Sequence, residues 1–490
     1  MCLVRILGKM TAPHTRTSAR AVRRYRRSAP CIALILLIAA SAGQCRQRQA
    51  AELRLLVADF SGARDDGARV RRAVQAALRD RPGVELDAAG MQASSEAARA
   101  LGQQRGARVV LWGQHLPGQD SMLARFELLP GPRLAAAPPT NALPSVTVAD
   151  PAGFALQVAA ADAPACLAAL TRGLVLHALR EYGPASQALG RALELQRQGP
   201  GAAAIHFRRG NALYLAGELT RALAEYDQAV RLDPEQAEYY ANRGNVYFAS
   251  GEYRRAIAEY SQALRLRPAD PAAHNNRGKA RFEQGDADPA LEDYDQAVAL
   301  DTAYAEVYNN RGDLFLARGD HQRSLADYDR AIRLDPGLIA AYRSRILINS
   351  ARGEYQQALA DYERAIQLKP DDPDTYNLRG LTYAESGQYG RAIADYTHVL
   401  RLRPDHARAY YNRGNAYFKQ GEYSRAIADY DQALRLRPAD LKAYFNRGKA
   451  RQRQREPQLA AADFEKVLSL TGEPQVRRWV RRELDSQGTP

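Results

Sequence analysis

The sequence predicts a mainly α-helical solenoid of helix-turn-helix units, preceded by a small α/β domain. Three observations carry this. Gly210, Gly244, Gly278, Gly312, Gly380, Gly414 and Gly448 fall on one 34-residue grid that only Ile346 breaks. An aromatic grid keeps step with it through Tyr226, Tyr260, Tyr294, Tyr328, Tyr362, Tyr396, Tyr430 and Phe464. Upstream, residues 51–130 replace this period with short strand-like apolar runs separated by helical spacing.

Chance does not produce such a grid at a glycine frequency of roughly 7% per position. A second glycine series lies seven residues further on: Gly217, Gly251, Gly285, Gly319, Gly353, Gly387 and Gly421. A proline series, Pro234, Pro268, Pro336, Pro370, Pro404 and Pro438, closes the units, with Thr302 and Gly472 as exceptions. Residues 407–420 and 424–436 show one unit. Gly414 lets a neighbouring helix approach closely, Gly421 ends the first helix as a left-handed residue does, and Pro438 stops the second. Ala426, Tyr430 and Ala433 share the buried face of that second helix. A lone helix pair cannot bury its apolar face, so neighbours must stack.

The 34-residue period and its Gly, Tyr, Ala and Pro positions resemble the tetratricopeptide repeat. Eight repeats occupy residues 203–474. A degenerate unit at 169–202 precedes them, with Gly183, Ala188 and Pro200 in register and Leu176 at the first-glycine site. Residues 475–490 hold a capping helix, Val476 to Leu484, and a tail. The resemblance implies a right-handed superhelix whose first helices line the concave surface.

Residues 51–130 read βαβαββ. Leu53–Phe60, Val84–Leu86, Arg108–Gly113 and Met122–Leu129 are the strands, the last a hairpin neighbour of the third. Val70–Leu78 and Ser94–Gln104 are the helices. The Leu55–Phe60 and Gly106–Gly113 runs resemble the N-terminal α/β domain of the TolB type, a non-catalytic interaction unit. Residues 131–168, with six prolines, read as a connector.

Residues 1–42 form an address. The basic stretch Arg23–Arg27 precedes an apolar run, Cys31–Ala42, of about 12 residues, which as a helix spans about 18 Å against a hydrocarbon core of roughly 30 Å. That describes a signal peptide cut after Ala42. Residues 28–45 carry no charge, so an uncleaved signal anchor is a second reading, and a lipoprotein modified at Cys45 a third. Residues 31–45 are thus the candidate membrane tether. All three readings place the remainder outside the cytoplasm.

The chain has 69 Lys+Arg against 55 Asp+Glu, a net charge of +14. Eight of those basic residues lie in residues 1–45 without an acid, which leaves +6 for the rest. There, Arg alternates with Asp and Glu along helices, the pattern of a salt-bridged solvated face, so nucleic acid is not an expected partner. Nothing points to an enzyme, a cofactor or a metal. No histidine pair has the His-Glu-x-x-His spacing, and there is no Gly-x-Ser-x-Gly elbow, phosphate loop or Cys-x-x-Cys. His206 and His274 occupy an aromatic packing position.

The expected partner is a protein or peptide held on the first helices. By the resemblance, the inward positions hold Asn211, Asn242, Asn245, Asn276, Asn310, Asn377, Asn412, Asn415 and Asn446, with Phe248, Tyr411, Phe418 and Phe445 between them. Asn is a poor helix former, so its recurrence asks for a side-chain role. One role is an inter-repeat hydrogen bond. The other is an amide ladder gripping a peptide backbone, with the aromatics as apolar anchors. Asn415, Asn446, Lys442 and Lys449 are similar to part of the carboxylate clamp of some family members, although a preceding Lys and a third basic pair are missing. The expected function is an exported, non-catalytic scaffold. The alternative is an architectural, self-assembling envelope component.

Overall fold

The computed structural model describes residues 53–58, 66–79, 84–89, 109–115, 121–128, 153–159 and 163–485. The expected signal segment, the Ser94–Gln104 helix and the tail beyond 485 lie outside the described residues. The chain divides into two compact units at Glu235 and Gln236.

The first unit holds a five-stranded sheet: β1 (Leu53–Ala58), β2 (Val84–Ala89), β3 (Val109–His115), β4 (Ser121–Leu128) and β5 (Gly153–Ala159). Its order is β2-β1-β3-β4-β5. β1 runs parallel to β2 and β3, while β4 pairs antiparallel with β3 and with β5. Helix α1 (Asp66–Ala77) follows β1, as a parallel crossover requires. Four further helices complete the unit: α2 (Ala163–Ala178), α3 (Tyr182–Leu195), α4 (Gly199–Leu215) and α5 (Leu219–Leu232).

Two expectations need correction here. The 131–168 connector contains β5 and the start of α2. Its Gly153–Ala159 stretch is apolar enough to pair with β4, and alanine-rich 163–178 is a strong helix former. Helix α2 also joins the sheet to the repeats in one core. Val70 and Val74 of α1, Leu111 of β3 and Ala124 of β4 pack in one cluster with Leu167, Leu170 and Leu174 of α2 and Leu189 of α3. Cys166 is buried there, its Sγ 3.8 Å from the Ala192 carbonyl oxygen.

The second correction concerns register. A Cβ on Gly173 would lie 2.6 Å from Leu189, the contact made elsewhere between the first glycine and the aromatic ring. Gly183 meets nothing within 4 Å, and the left-handed residue of this unit is Arg180, at φ 63°. The degenerate unit therefore sits 37 residues before its successor, not 34. The three extra residues are taken up before Ala203, where α4 begins early, at Gly199.

The second unit alternates first and second helices. They are α6 (Ala237–Ala249), α7 (Tyr253–Leu266), α8 (Pro271–Gln284), α9 (Ala287–Leu300), α10 (Ala305–Ala317), α11 (His321–Leu334), α12 (Ile339–Ala351) and α13 (Tyr355–Leu368). Then come α14 (Pro373–Glu385), α15 (Tyr389–Leu402), α16 (Ala407–Lys419), α17 (Tyr423–Leu436), α18 (Leu441–Arg453) and α19 (Pro457–Leu470), with α20 (Pro474–Asp485) at the end.

The grids become contacts. Tyr260, Tyr294, Tyr328, Tyr396 and Tyr430 are fully buried, each against the glycine sixteen residues before it. A Cβ on Gly414 would come within 2.8 Å of the Tyr430 ring. The second-series glycines all have positive φ, 80° at Gly421. There Gly421 N–H donates to Phe418 O at 3.0 Å and Glu422 N–H to Tyr417 O at 2.9 Å, closing the helix end. Helix α20 packs Val476, Val480 and Leu484 with Phe464 and Val467 of α19. Among the described residues, no helix is long and apolar enough to cross a membrane.

Candidate functional site

The amides singled out from the sequence divide into three groups. Asn211, Asn242, Asn245 and Asn276 are buried. In the first unit, Asn211 Oδ1 accepts from Tyr226 OH at 2.8 Å. In the second, Asn245 Oδ1 accepts from Tyr260 OH at 2.7 Å and from Asn276 Nδ2 at 3.1 Å, and Asn245 Nδ2 donates to Asn242 Oδ1 at 3.3 Å. These are internal hydrogen bonds; the Asn276–Asn245 bond runs between repeats, the first of the two roles, and the others lie within one repeat. Burial forces them, because a helix-face amide that loses water must find a protein partner. Phe248 is also buried, its ring 5.4 Å from that of Tyr253.

A middle group is half-buried and tied between repeats. Asn310 Nδ2 donates to Asn275 Oδ1 at 2.8 Å, and Asn412 Nδ2 to Asn377 Oδ1 at 3.3 Å. Lys442 is exposed at the start of α18.

The remaining residues meet in one place. A cleft of about 350 Å³ is lined by Asn415, Phe418 and Lys419 of α16, Tyr430 of α17, and Phe445, Asn446 and Lys449 of α18. Asn415 Oδ1 accepts from Tyr430 OH and from Asn446 Nδ2, both at 2.8 Å. Asn446 Nδ2 also donates to Tyr411 OH at 3.0 Å. These bonds use the acceptor of one amide and the donor of the other. Asn415 also interacts with the Tyr411 hydroxyl, while Asn446 Oδ1 has no partner among the described residues. The cleft therefore offers the Asn446 acceptor, which a peptide N–H can meet.

The walls are fixed. Phe418 packs edge-on against Tyr423 at 5.4 Å, and Phe445 against Phe464 at 5.4 Å. Burial pushes the Tyr430 and Tyr411 hydroxyls above the usual range, so both stay neutral. Lys449 Nζ contacts Glu483 of α20 at 2.9 Å. Lys419 is exposed, with no partner among the described residues. The cleft has a net basic rim.

A further series carries much of the polar structure and was read from the sequence only as surface charge. The residue before each first-series grid position is arginine, and the residue before each grid aromatic is acidic. In the first unit Arg209 pairs with Glu225 at 3.0 Å, and His206 joins them at 2.7 Å. In the second, Arg243 pairs with Glu259 at 2.9 Å, and Arg277, Arg379 and Arg413 with Asp293, Asp395 and Asp429 at 2.7 Å. Arg311, Arg345 and Arg447 each bridge two acids, on their own and the preceding second helix. These pairs are mostly buried, not solvated. Burial would raise the Asp293 carboxyl, but hydrogen bonds from His274 and Arg277 and the charge of Arg281 hold it below the usual range. The exact 34-residue recurrence of Arg was the available signal. Among the described residues no group of His, Cys, Asp and Glu is arranged to hold a metal ion.

A TPR-repeat family profile matches residues 210–251, 244–285, 350–387, 380–421 and 414–454, and a tetratricopeptide-repeat profile matches 277–339. Residues 340–349, around Ile346, lie between the matches. No match was found among curated proteins. Among solved structures, the C-terminal part of a TPR repeat-containing protein from Cytophaga hutchinsonii is 18% identical, with 48% of this chain and 97% of that one covered and a TM-score of 0.43. MamA from Desulfovibrio magneticus RS-1 is 25% identical over 34% of this chain and 94% of that one, at a TM-score of 0.33. A tetratricopeptide repeat protein from Parabacteroides merdae is 19% identical over 59% and 99%, at 0.30. None of these likenesses bears on what the chain binds.

Proposed function

We propose, from the premise that residues 210–339 and 350–454 are tetratricopeptide repeats, that this chain is a non-catalytic scaffold holding an extended peptide segment of a partner protein on its first helices. The observation that carries the reading is the α16–α18 cleft. Asn446 Oδ1 is left to pair with a peptide N–H, between the aromatic walls Phe418 and Phe445. The sheet unit, with its TolB-type pattern, makes a second contact in this reading. The basic, then apolar N-terminus supports export, so the scaffold works outside the cytoplasm, either released or tethered through residues 31–45.

Two experiments test this. The full chain and a Phe418→Ala, Asn446→Ala variant are compared for partner capture, with helicity and melting followed in both. Loss of the partner by a folded variant supports the groove. Unchanged capture or self-association favours the architectural reading. Intact mass and N-terminal sequencing of membrane and soluble fractions test export: a chain beginning at Gly43, or one modified at Cys45, supports it, and an unprocessed cytoplasmic chain contradicts it.

A further inference from the structure

In the second unit the residue after the grid aromatic repeatedly accepts from the arginine of the next repeat. Arg311 donates to Asp295 at 2.7 Å, Arg345 to Asp329 and Arg447 to Asp431. Arg277 reaches the Ser261 hydroxyl at 3.2 Å, and Arg413 the Thr397 hydroxyl at 3.0 Å. With the 37-residue offset, Gly190 of α3 holds this position in the degenerate unit, and Arg209 of α4 is the arginine that follows it. The two do meet: a Cβ on Gly190 would lie 3.4 Å from Arg209 Nη2 and 3.6 Å from its Nε. The arginine is in place and its acceptor is missing.

Arg209 spends only part of its guanidinium. Nη1 donates to Glu225 Oε1 at 3.0 Å, and Glu225 Oε2 contacts His206 Nδ1 at 2.7 Å. Arg209 Nε is shielded from water and has no partner among the described residues. Every later arginine of this series pairs its Nε with the acid of its own repeat. Buried polar groups are nearly always paired, so the exception asks for a reason. Packing does not supply one. Gly190 lies inside a helix, where glycine costs stability relative to alanine, and a Cβ there would make only ordinary contacts.

The space at Gly190 belongs to a cleft of about 630 Å³ lined by residues of α3 and α4 and by Arg197 between them. Small-molecule sites span roughly 300–1,000 Å³. Buried Leu193 is part of its wall. Arg191, Arg197 and Arg209 face Glu194 within it, and Glu225 stands behind Arg209. Arg197 Nε donates to the Glu194 carbonyl oxygen at 3.2 Å, and Arg191 has no partner among the described residues. Three cations against two carboxylates leave one positive charge, with His206 beside them. That balance suits a carboxylate, which matches the planar guanidinium fork, better than a phosphate dianion, which the two acids repel.

We propose that this cleft binds a small organic acid, whose carboxylate takes the place of the aspartate absent at Gly190 and pairs with the part of Arg209 that Glu225 leaves unused. Arg191 and Arg197 favour a second acidic group on the same molecule. Once bound, the acid supplies between α3 and α4 the link that Asp295 and Arg311 supply between α9 and α10. The site shares no residue with the α16–α18 cleft and does not rest on the groove reading.

The test titrates the full chain with succinate, acetate and inorganic phosphate by calorimetry, and follows melting in each against sodium chloride of equal ionic strength. The expected result is one succinate site, weaker binding of acetate, and a melting temperature that succinate raises beyond the chloride control. Gly190→Asp supplies the carboxylate from within. It is expected to melt no lower than the wild type and to bind succinate at least tenfold more weakly. Gly190→Ala adds the Cβ without the charge and is expected to bind within twofold of the wild type. Arg209→Gln is expected to lose both binding and the response of melting to succinate, which keeps the test open if Gly190→Asp fails to fold. Absence of carboxylate binding to the wild type overturns the proposal, as does binding of phosphate alone. Wild-type affinity in a folded Gly190→Asp overturns it too. Equal losses in Gly190→Ala and Gly190→Asp make the effect one of space and overturn the role given to the carboxylate.

Discussion

Ile346 packs against Tyr362 at the contact where the flanking repeats place a glycine against an aromatic ring. With Leu347 beside it, the Tyr362 hydroxyl lacks the partner that Tyr226, Tyr260, Tyr328 and Tyr430 have, and interacts with Thr382 of the next repeat. The two substitutions form one local solution. Ile346→Gly is therefore expected to destabilise, by about 3 kcal/mol, because it empties a packed site and adds glycine entropy. Gly414→Ala is expected to lose about 1–3 kcal/mol by overpacking Tyr430. Helix propensity alone would favour that alanine by about 1 kcal/mol, so the sign decides whether the ring contact governs. Urea midpoints of the two variants measure both.

The degenerate unit separates two registers. With the 37-residue offset, Gly173→Ala drives a Cβ into Leu189 and lowers the melting temperature, while Gly183→Ala meets open space and leaves it unchanged or slightly higher. A 34-residue offset makes Gly183 the structural glycine and reverses the ranking. The repeats themselves were legible because Gly, Tyr and Pro carry backbone and packing constraints that few other residues satisfy. The degenerate unit's register was not, since Leu189 replaces the tyrosine and Arg180 the glycine, and an extended helix start absorbs three residues without any turn signal.

Arg345→Leu tests the buried arginine series. Arg345 ties Asp361 to Asp329, and Asp361 is nearly inaccessible. Removing the cation strands that carboxylate, at a cost of about 2 kcal/mol for a partly solvated pair. Arg343→Leu, whose guanidinium is half exposed beside Asp372, is expected to cost under about 1 kcal/mol. The unfolding midpoints of the pair give the comparison. Charge alternation in a sequence does not say which pairs lose water; only the packing of α12 between second helices does.

Asp313 stands where Asn245 and Asn415 stand in other repeats. Burial raises its carboxyl above the usual value, and hydrogen bonds from Tyr328, Ser344 and Asn309 with the charge of Lys279 only partly offset this. A raised folded-state value means that the native chain holds the proton more tightly than the unfolded one. Asp313 therefore costs stability once the pH rises above about 3.8, the ordinary value. Asp313→Asn is expected to raise the melting temperature at pH 7, with the gain shrinking as the pH falls towards that value. A gain independent of pH would mean that packing, not charge, is responsible.

Glu483 of α20 holds Lys449, one of the two cations on the cleft rim. The capping helix thus sets the charge of the site as well as closing the stack. The Asn, Phe and Lys lining of the cleft was visible as sequence positions, but this tie was not, because Glu483 is on a different helix, outside the repeat pattern. Glu483→Gln removes the competing carboxylate while keeping the side-chain shape. Acidic peptides are expected to bind the variant about two- to threefold more tightly at low salt, as one more cation becomes available to them. The difference is expected to vanish near 1 M salt, where screening acts within about 3 Å. Equal affinities for both proteins at low salt would place the ligand carboxylate at Lys419 alone.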